Sequence, residues 1–459
     1  MKNLLYILSF WCVSLGILCS CSDDDFSTSA ADQPRFSVDT LSFDTVITTV
    51  GSSTKQVMLY NPGDKPLLIG PVYLKSGGTS GFRVNVDGSP GTEFNEIELN
   101  KKDSLYIFVE VKAPVQHSDD PQLVQDELVV TTNGVTRTLV LKAYGQDALM
   151  WRGRTLEHDT VLTSGKPLVI YDSLSIAEGV TLVCDPGARL MFHSQAQLKV
   201  HGTLVTNGEP HRRVIFRGDR MDRLFPYLPY DRTPGQWEGI RFYSTSMNNR
   251  LTGANIHSAN TAIRCDSSDR ASMKLSLVSS VVENSAYMNL NLKGCRAEIV
   301  NCLIDNSGLG MIRLADGDYR MLHCTAVNKY AFAARQGKDM QIYSSFKEGN
   351  GIDSTRVDLL NCLFASKDVF DLGGNKNGIS LKCNTIPSDY DTQSYDDIHY
   401  IYLNNDGDYR YNFHPTAENA CIGAANPLFA REVPYDLDGY PRVQDGAPDN
   451  GCYEYHESN

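Results

Sequence analysis

Two carboxylates, Glu283 and Asp305, stand 22 residues apart in a stretch whose other residues also recur at 22. Carboxylates held close together can share a cation, or divide the acid and base roles of glycosidic cleavage. The next position of that column is Val327, which ends the series, and corner carboxylates are more often simply solvated. A second group is aromatic: Phe225, Tyr227, Tyr230 and Trp237 lie near Asp231, Arg232 and Gln236. Flat rings beside polar side chains stack on sugars or anchor a protein partner. Phe225, Tyr227, Tyr230, Asp231 and Trp237 are therefore the candidate binding residues; the competing reading is a loop that packs its own rings inward. His201, His257 and His323 have no legible partner and read as structural. Asp316-Gly317-Asp318 and Asp406-Gly407-Asp408 read as turns. No catalytic residue and no metal ligand is assigned, and no cofactor, with calcium implied only under a lyase reading.

The elements that must position these residues repeat. Val278-Ser279-Ser280-Val281-Val282-Glu283-Asn284, Val300-Asn301-Cys302-Leu303-Ile304-Asp305-Asn306 and Leu322-His323-Cys324-Thr325-Ala326-Val327-Asn328 align at a period of 22, and Leu360-Asn361-Cys362-Leu363-Phe364 is a further copy. Such a period marks coils that stack, each completing its neighbour's apolar face. Apolar and polar residues alternate within each copy, which selects strands over helices. Small residues at 280, 302 and 324 suit a narrow interior. Asn284, Asn306 and Asn328 suit corners, where Asn tolerates unusual backbone angles. The repeat resembles a right-handed parallel β-helix of the pectate-lyase-like superfamily. Taking 167–400 as that helix gives about ten coils and a rod about 50 Å long at the usual strand spacing.

The chain begins with Lys2 and an apolar run from Leu4 to Leu18, too short to span a bilayer and of signal-peptide form. Leu18-Cys19-Ser20-Cys21 resembles a bacterial lipobox, which implies cleavage after residue 20 and lipidation of Cys21. Ser22-Asp23-Asp24-Asp25 resembles the acidic tag that sends lipoproteins of one Gram-negative group to the outer face of the outer membrane. Removing residues 1–20 takes away one charge, Lys2, and moves the formal net charge from −13 to −14. So acidic a chain is a poor partner for nucleic acid. Beyond the anchor nine cysteines remain, an odd number, and Cys302 and Cys324 read as small buried hydrophobes in adjacent coils.

Residues 21–34 read as a flexible tether. Over 35–146 short alternating strands are punctuated by turns, with Asn133-Gly134 a strong hairpin signal between Leu128-Val129-Val130-Thr131 and Thr138-Leu139-Val140-Leu141. This stretch resembles the immunoglobulin-like sandwiches that precede larger modules on bacterial surface proteins. Residues 147–166 read as a linker, with Trp151 capping the first coil. The period breaks between Asp219 and Gly239, in an insertion that carries the aromatic candidates. Residues 401–459 end in Asp436-Leu437-Asp438-Gly439-Tyr440-Pro441-Arg442 and Asp449-Asn450-Gly451-Cys452-Tyr453-Glu454. They resemble the C-terminal module of secreted β-helix proteins and are expected to seal the last coil against edge pairing.

The expected fold class is all-β: an immunoglobulin-like β-sandwich followed by a right-handed parallel β-helix. The expected function is that of an outer-membrane lipoprotein facing the cell exterior, whose helix binds a polysaccharide or an outer-membrane protein partner without catalysis. An extracellular polysaccharide lyase or glycoside hydrolase is one alternative, although the hydrolase motifs of this fold (Asn-Thr-Asp, Gly-Asp-Asp, Gly-His-Gly) do not occur. A structural accessory of an outer-membrane assembly is the other.

Overall fold

The computed structural model describes residues 25–344, 355–365, 370–371, 379–382, 384, 411–417, 419–443 and 446–457. The signal sequence, Cys21, Ser22, Asp23, Asp24, Cys383 and the turn at 406–408 lie outside the described residues. The chain divides between Asp147 and Ala148 into two compact units.

The first unit is a β-sandwich of two five-stranded sheets. Lys55–Tyr60, Ser104–Val111 and Phe82–Val86 form the centre of one sheet; Thr40–Ile47, Val135–Gln146 and Gln122–Thr132 form most of the other. Alternate residues face inward, so that Leu128, Val130, Leu139 and Leu141 meet Val57, Leu59, Ile107 and Val109 in one core. Asn133 and Gly134 both have positive φ (49° and 74°), as a two-residue hairpin with the sheet's own twist requires. Part of the expected tether is docked: Ser27 N–H donates to the Pro66 carbonyl at 2.8 Å, and Gln33 reaches the Thr132 carbonyl at 3.0 Å.

The second unit is a parallel β-helix with three faces. Its third face is a nine-stranded parallel sheet running from Thr160–Leu162 to Ile379–Lys382. The other two faces are fused into a sixteen-stranded sheet because the long strand Leu168–Ile176 pairs with both Arg189–Phe192 and Gln197–Val200. The residues expected to form a linker are the first coil: Leu149–Leu156 runs parallel to Leu168–Ile176, and Thr160–Leu162 to Thr181–Cys184. Trp151 is thus a strand residue of the first coil, opposite Ile170, and packs half-buried against the rod's core. This terminal coil has a neighbour on one side only, so most residues of Leu149–Leu156 stay exposed and show no alternation to read.

The small-residue column closes the tight corner between the third and first faces. Ser279, Asn301, His323 and Asn361 all turn through positive φ of 45–56°. The residue after each sends its side chain back to the carbonyl two residues earlier: Ser280 Oγ to Val278 at 2.8 Å, Cys302 Sγ to Val300 at 3.1 Å, Cys324 to Leu322 at 3.5 Å and Cys362 to Leu360 at 3.4 Å. The three thiols are free and buried. Among the expected corner asparagines, Asn284 and Asn306 take positive φ (60° and 49°), whereas Asn328 uses its amide on the Asp339 carboxylate (2.7 Å) and the Ser307 carbonyl (3.1 Å).

The described part of the C-terminal module lies along the side of the rod, not over its end. Phe413, Leu437, Cys452 and Tyr453 pack on Val281, Leu303, Val327 and Leu363, the outward residues of successive strands of the first face. The outward residues nearest the corner are thus apolar because the module covers them, whereas Glu283 and Asp305 stand two residues further along the same strands. Gly451 has φ 101°, and a Cβ there would meet Thr325 Oγ1 at 2.5 Å, so the module's glycine is what lets it approach so closely.

Candidate functional site

The insertion leaves the first face at Gly218 and rejoins the second at Gly239. Arg223–Phe225 pairs with Leu228–Pro229 in a small hairpin, followed by a single 3₁₀ turn at Tyr230–Arg232. Phe225 and Tyr227 are exposed and nearly parallel, with ring centroids 5.6 Å apart. Tyr230 is partly covered by the Arg220 guanidinium, 4.0 Å from its ring. Trp237 departs from expectation. It is wholly buried, stacked 4.1 Å from Phe192 at the root of the insertion, and its Nε1–H donates to the His257 carbonyl at 3.0 Å. An indole satisfied on every side is core and cannot meet a ligand.

Beneath the insertion, parallel register aligns His257, Glu283, Asp305 and Val327 on the outer side of the first face. The two acids therefore do meet on adjacent coils, but the pair is shut. Asp305 is 2 % exposed, and burial, then the neighbouring Glu283, raises its pKa well above the usual carboxylate value. Arg232 descends from the insertion onto Glu283 at 2.8 Å, and Asp231 lies 3.7 Å from Arg217. His257 is held neutral, its pKa lowered to about 3 by burial and then by Arg217 and Arg232.

The exposed chemistry lies one corner further on. Arg152, Tyr171, His193 and Asp219 occupy equivalent positions on four successive coils, between the first and second faces. The Arg152 guanidinium is 4.6 Å from the Tyr171 ring, that ring 4.7 Å from His193, and His193 Nδ1 2.7 Å from Asp219 Oδ2. At the other margin of the second face, His201 stacks on Tyr243 at 4.1 Å, with Arg241 over the same ring at 4.4 Å. Between these margins the outward column of the second face reads Ser175, Lys199, Arg241, Arg264, Asn291, Arg313, Gln341, Asp371. A cavity of about 320 Å³ opens there between Arg264, Asp266, Asn291, Lys293, Arg313 and Asp316.

The third face makes the contrast. Its outward columns read Arg296, Asp318, Arg356 and, alongside, Glu298, Arg320, Asp358. The signs alternate in both directions, and Arg270–Asp318 and Arg320–Glu298 close as ion pairs at 2.8 and 2.7 Å. That face neutralises itself. On the second face Lys199, Arg241 and Arg264 follow one another with no acid inserted, and Asp266 alone reaches Arg241 (2.9 Å) and Arg264 (3.4 Å) from the side. Like charges stacked at strand spacing are unfavourable, and Asp266 offsets part of that cost at Arg241 and Arg264.

Sequence reasoning missed Tyr171, His193 and the basic column. Their spacings are uneven, because corners of different length intervene between coils, and a fixed period does not align them. Asp25, the one described residue of the acidic tag, is exposed.

No family model matches the chain, and no curated protein does. Among solved structures, similarity is found to the VesB protease of Vibrio cholerae, with 15 % identity over 26 % of this chain and 33 % of that one, and a TM-score of 0.19. A family 123 glycoside hydrolase from Clostridium perfringens aligns at 8 % identity over 25 % of this chain and 26 % of that one, with a TM-score of 0.17. Dex49A from Penicillium minioluteum aligns at 10 % identity over 76 % of this chain and 77 % of that one, with a TM-score of 0.14. This chain thus spans about a third or less of the first two. By its own strand pairing it is an all-β protein, a sandwich followed by a parallel β-helix.

Proposed function

We propose that this protein is an outer-membrane lipoprotein, anchored through Cys21 and facing the exterior, whose β-helix binds a polysaccharide along its second face. The observation that carries the reading is the in-register run Lys199, Arg241, Arg264, a like-charge stack without interposed acids, bordered by the half-buried Tyr171 ring with exposed His193 and by the half-buried pair His201 and Tyr243. Sugar rings stack on such rings through their apolar faces, and their polar groups meet cations at the next coil, about 4.8 Å away. Binding is preferred to cleavage because the acid pair Glu283–Asp305 lies closed beneath Arg232.

The test is retention of the mature protein on immobilised plant, host and microbial polysaccharides, with detection of any released reducing or unsaturated ends. Retention that is lost in a Lys199→Ala, Arg264→Ala double variant is the expected result; retention unchanged by it rejects the second face. Leu224, Phe225 and Tyr227, exposed together at the hairpin tip, favour an outer-membrane protein as a second partner. That reading predicts co-purification in mild detergent, lost in Phe225→Ala, Tyr227→Ala.

A further inference from the structure

The insertion is attached to the first face almost entirely by polar groups. Of its described residues 219–236, Leu228 alone is fully buried. Its 3₁₀ turn is clipped by carbonyls: Asp231 O accepts from Ser258 Oγ at 2.5 Å and faces His257 Nδ1 at 3.1 Å, and Arg232 O accepts from the Asn284 amide. Its charged contacts with the rod include Arg232 with Glu283 at 2.8 Å, Arg217 with Asp231 at 3.7 Å and, at its first residue, Asp219 with the His193 ring at 2.7 Å. Two atoms of this fastening, Asp231 Oδ1 and Arg232 Nε, are buried without a hydrogen-bond partner. A buried polar atom left unpaired costs free energy that release to water would return. The attachment is therefore under-satisfied where it is most polar, although the rod strands beneath it also carry unpaired buried atoms at Asn255 Oδ1, Ser285 Oγ and Ser307 Oγ.

We infer that the insertion is a detachable flap, latched by the Arg232–Glu283 pair over the row Arg217, His257, Glu283, Asp305, and that it lifts when Glu283 loses its charge. The groups facing the latch are Asp231 and Arg232 from the flap, Arg217 and His257 from the two preceding coils, Asp305 from the following one, and Tyr453 from the C-terminal module on the Asp305 side. Loss of the Glu283 charge removes the anion closest to Arg232 and leaves Arg217 and Arg232 with Asp231 between them. Asp305 is a weak substitute for Glu283, since burial and then Glu283 itself raise its pKa well above the usual carboxylate value. Lifting the flap uncovers the acid pair and moves Phe225 and Tyr227, without unwinding the coils.

Tryptic cleavage after Arg220 and Arg223 reads the flap directly, because both lie in the inserted segment. At neutral pH, Glu283→Gln and Arg232→Gln are each expected to speed these cuts about tenfold, the factor set by losing one charge-assisted hydrogen bond. Their melting temperature should match the wild type. Asp305→Asn should stay within about twofold, because burial already disfavours the charged form of that carboxyl and the close ion pair is made by Glu283. Arg232→Gln, altered on the flap side, serves as the decisive variant should Glu283→Gln fail to fold. Unchanged cleavage in Arg232→Gln overturns the inference, as does acceleration that appears only together with a fall in melting temperature, since the insertion would then be part of the rod's fold.

Discussion

Trp237 and the pair Phe225 and Tyr227 belong to one insertion yet have opposite roles, and truncation separates them. Trp237→Ala removes an indole stacked 4.1 Å from Phe192 and leaves the His257 carbonyl without its donor. It should cost about 3–5 kcal/mol of rod stability. Phe225→Ala, Tyr227→Ala should cost less than about 1 kcal/mol, since those rings are solvated. Urea unfolding read by tryptophan fluorescence measures both, Trp151 remaining as the probe in the first variant. His323 gives a pH prediction at the same scale. Burial and then Arg442 lower its pKa to about 2, below the ordinary histidine value. A histidine kept neutral in the fold is stabilising above its unfolded pKa and loses that contribution as pH falls below it. Stability should therefore decline from about pH 6.5 toward pH 4.5, with His257 adding to the decline, by up to about 1.4 kcal/mol per pH unit for each histidine. His323→Asn keeps the left-handed corner that Asn301 and Asn361 already occupy with asparagine, and it should flatten the His323 share of that slope. An unaltered slope would place the acid sensitivity elsewhere.

The coil corner is the element where sequence and physics agree most closely. Ser280 makes with its hydroxyl the same return bond that Cys302, Cys324 and Cys362 make with their thiols. Cys324→Ser is accordingly expected to cost under about 1 kcal/mol, while Cys324→Leu overpacks a closed interior and should cost about 1–3 kcal/mol. Chemical denaturation of the two variants checks the ordering. Here the 22-residue spacing was legible because corner length is constant from 278 to 328, and the Asn133-Gly134 hairpin was legible because its turn chemistry is local. The first coil was not, because an end coil has one neighbour and shows no alternation. Nor was the row Arg152, Tyr171, His193, Asp219, whose spacing absorbs corners of different length. Trp237 was misplaced for a related reason. A tryptophan next to Tyr227 and Tyr230 in the chain looks like part of their cluster, but the root of an insertion returns to the core while its tip does not. Candidate sites set by register across coils stay hidden until the coils are aligned.

At the scale of the whole molecule, the C-terminal module turns the rod's first face from an outside into an inside. Val281, Leu303, Val327 and Leu363 would otherwise present an apolar stripe to water. The module is pinned there by Arg442, fully buried, which donates to Glu454 at 2.6 Å, to Asn301 Oδ1 at 2.5 Å and to the Cys452 carbonyl. One guanidinium thus joins the module's own acid to the asparagine corner of the helix. Both tryptophans downstream of the signal sequence lie in the second unit, so indole fluorescence reports its unfolding without a signal from the sandwich. Arg442→Met leaves Glu454 buried without its cation and should destabilise that transition by about 3–5 kcal/mol. Pairing it with Glu454→Gln removes the stranded acid and should recover a large part of the loss, a coupling of about 2 kcal/mol or more in a double-mutant cycle. If the module merely rested against the rod, Arg442→Met would leave the fluorescence transition where it was and shift only local exchange in residues 411–457. A shared loss and a shared recovery would instead make the module a structural wall of the helix, with the second face left free for a ligand.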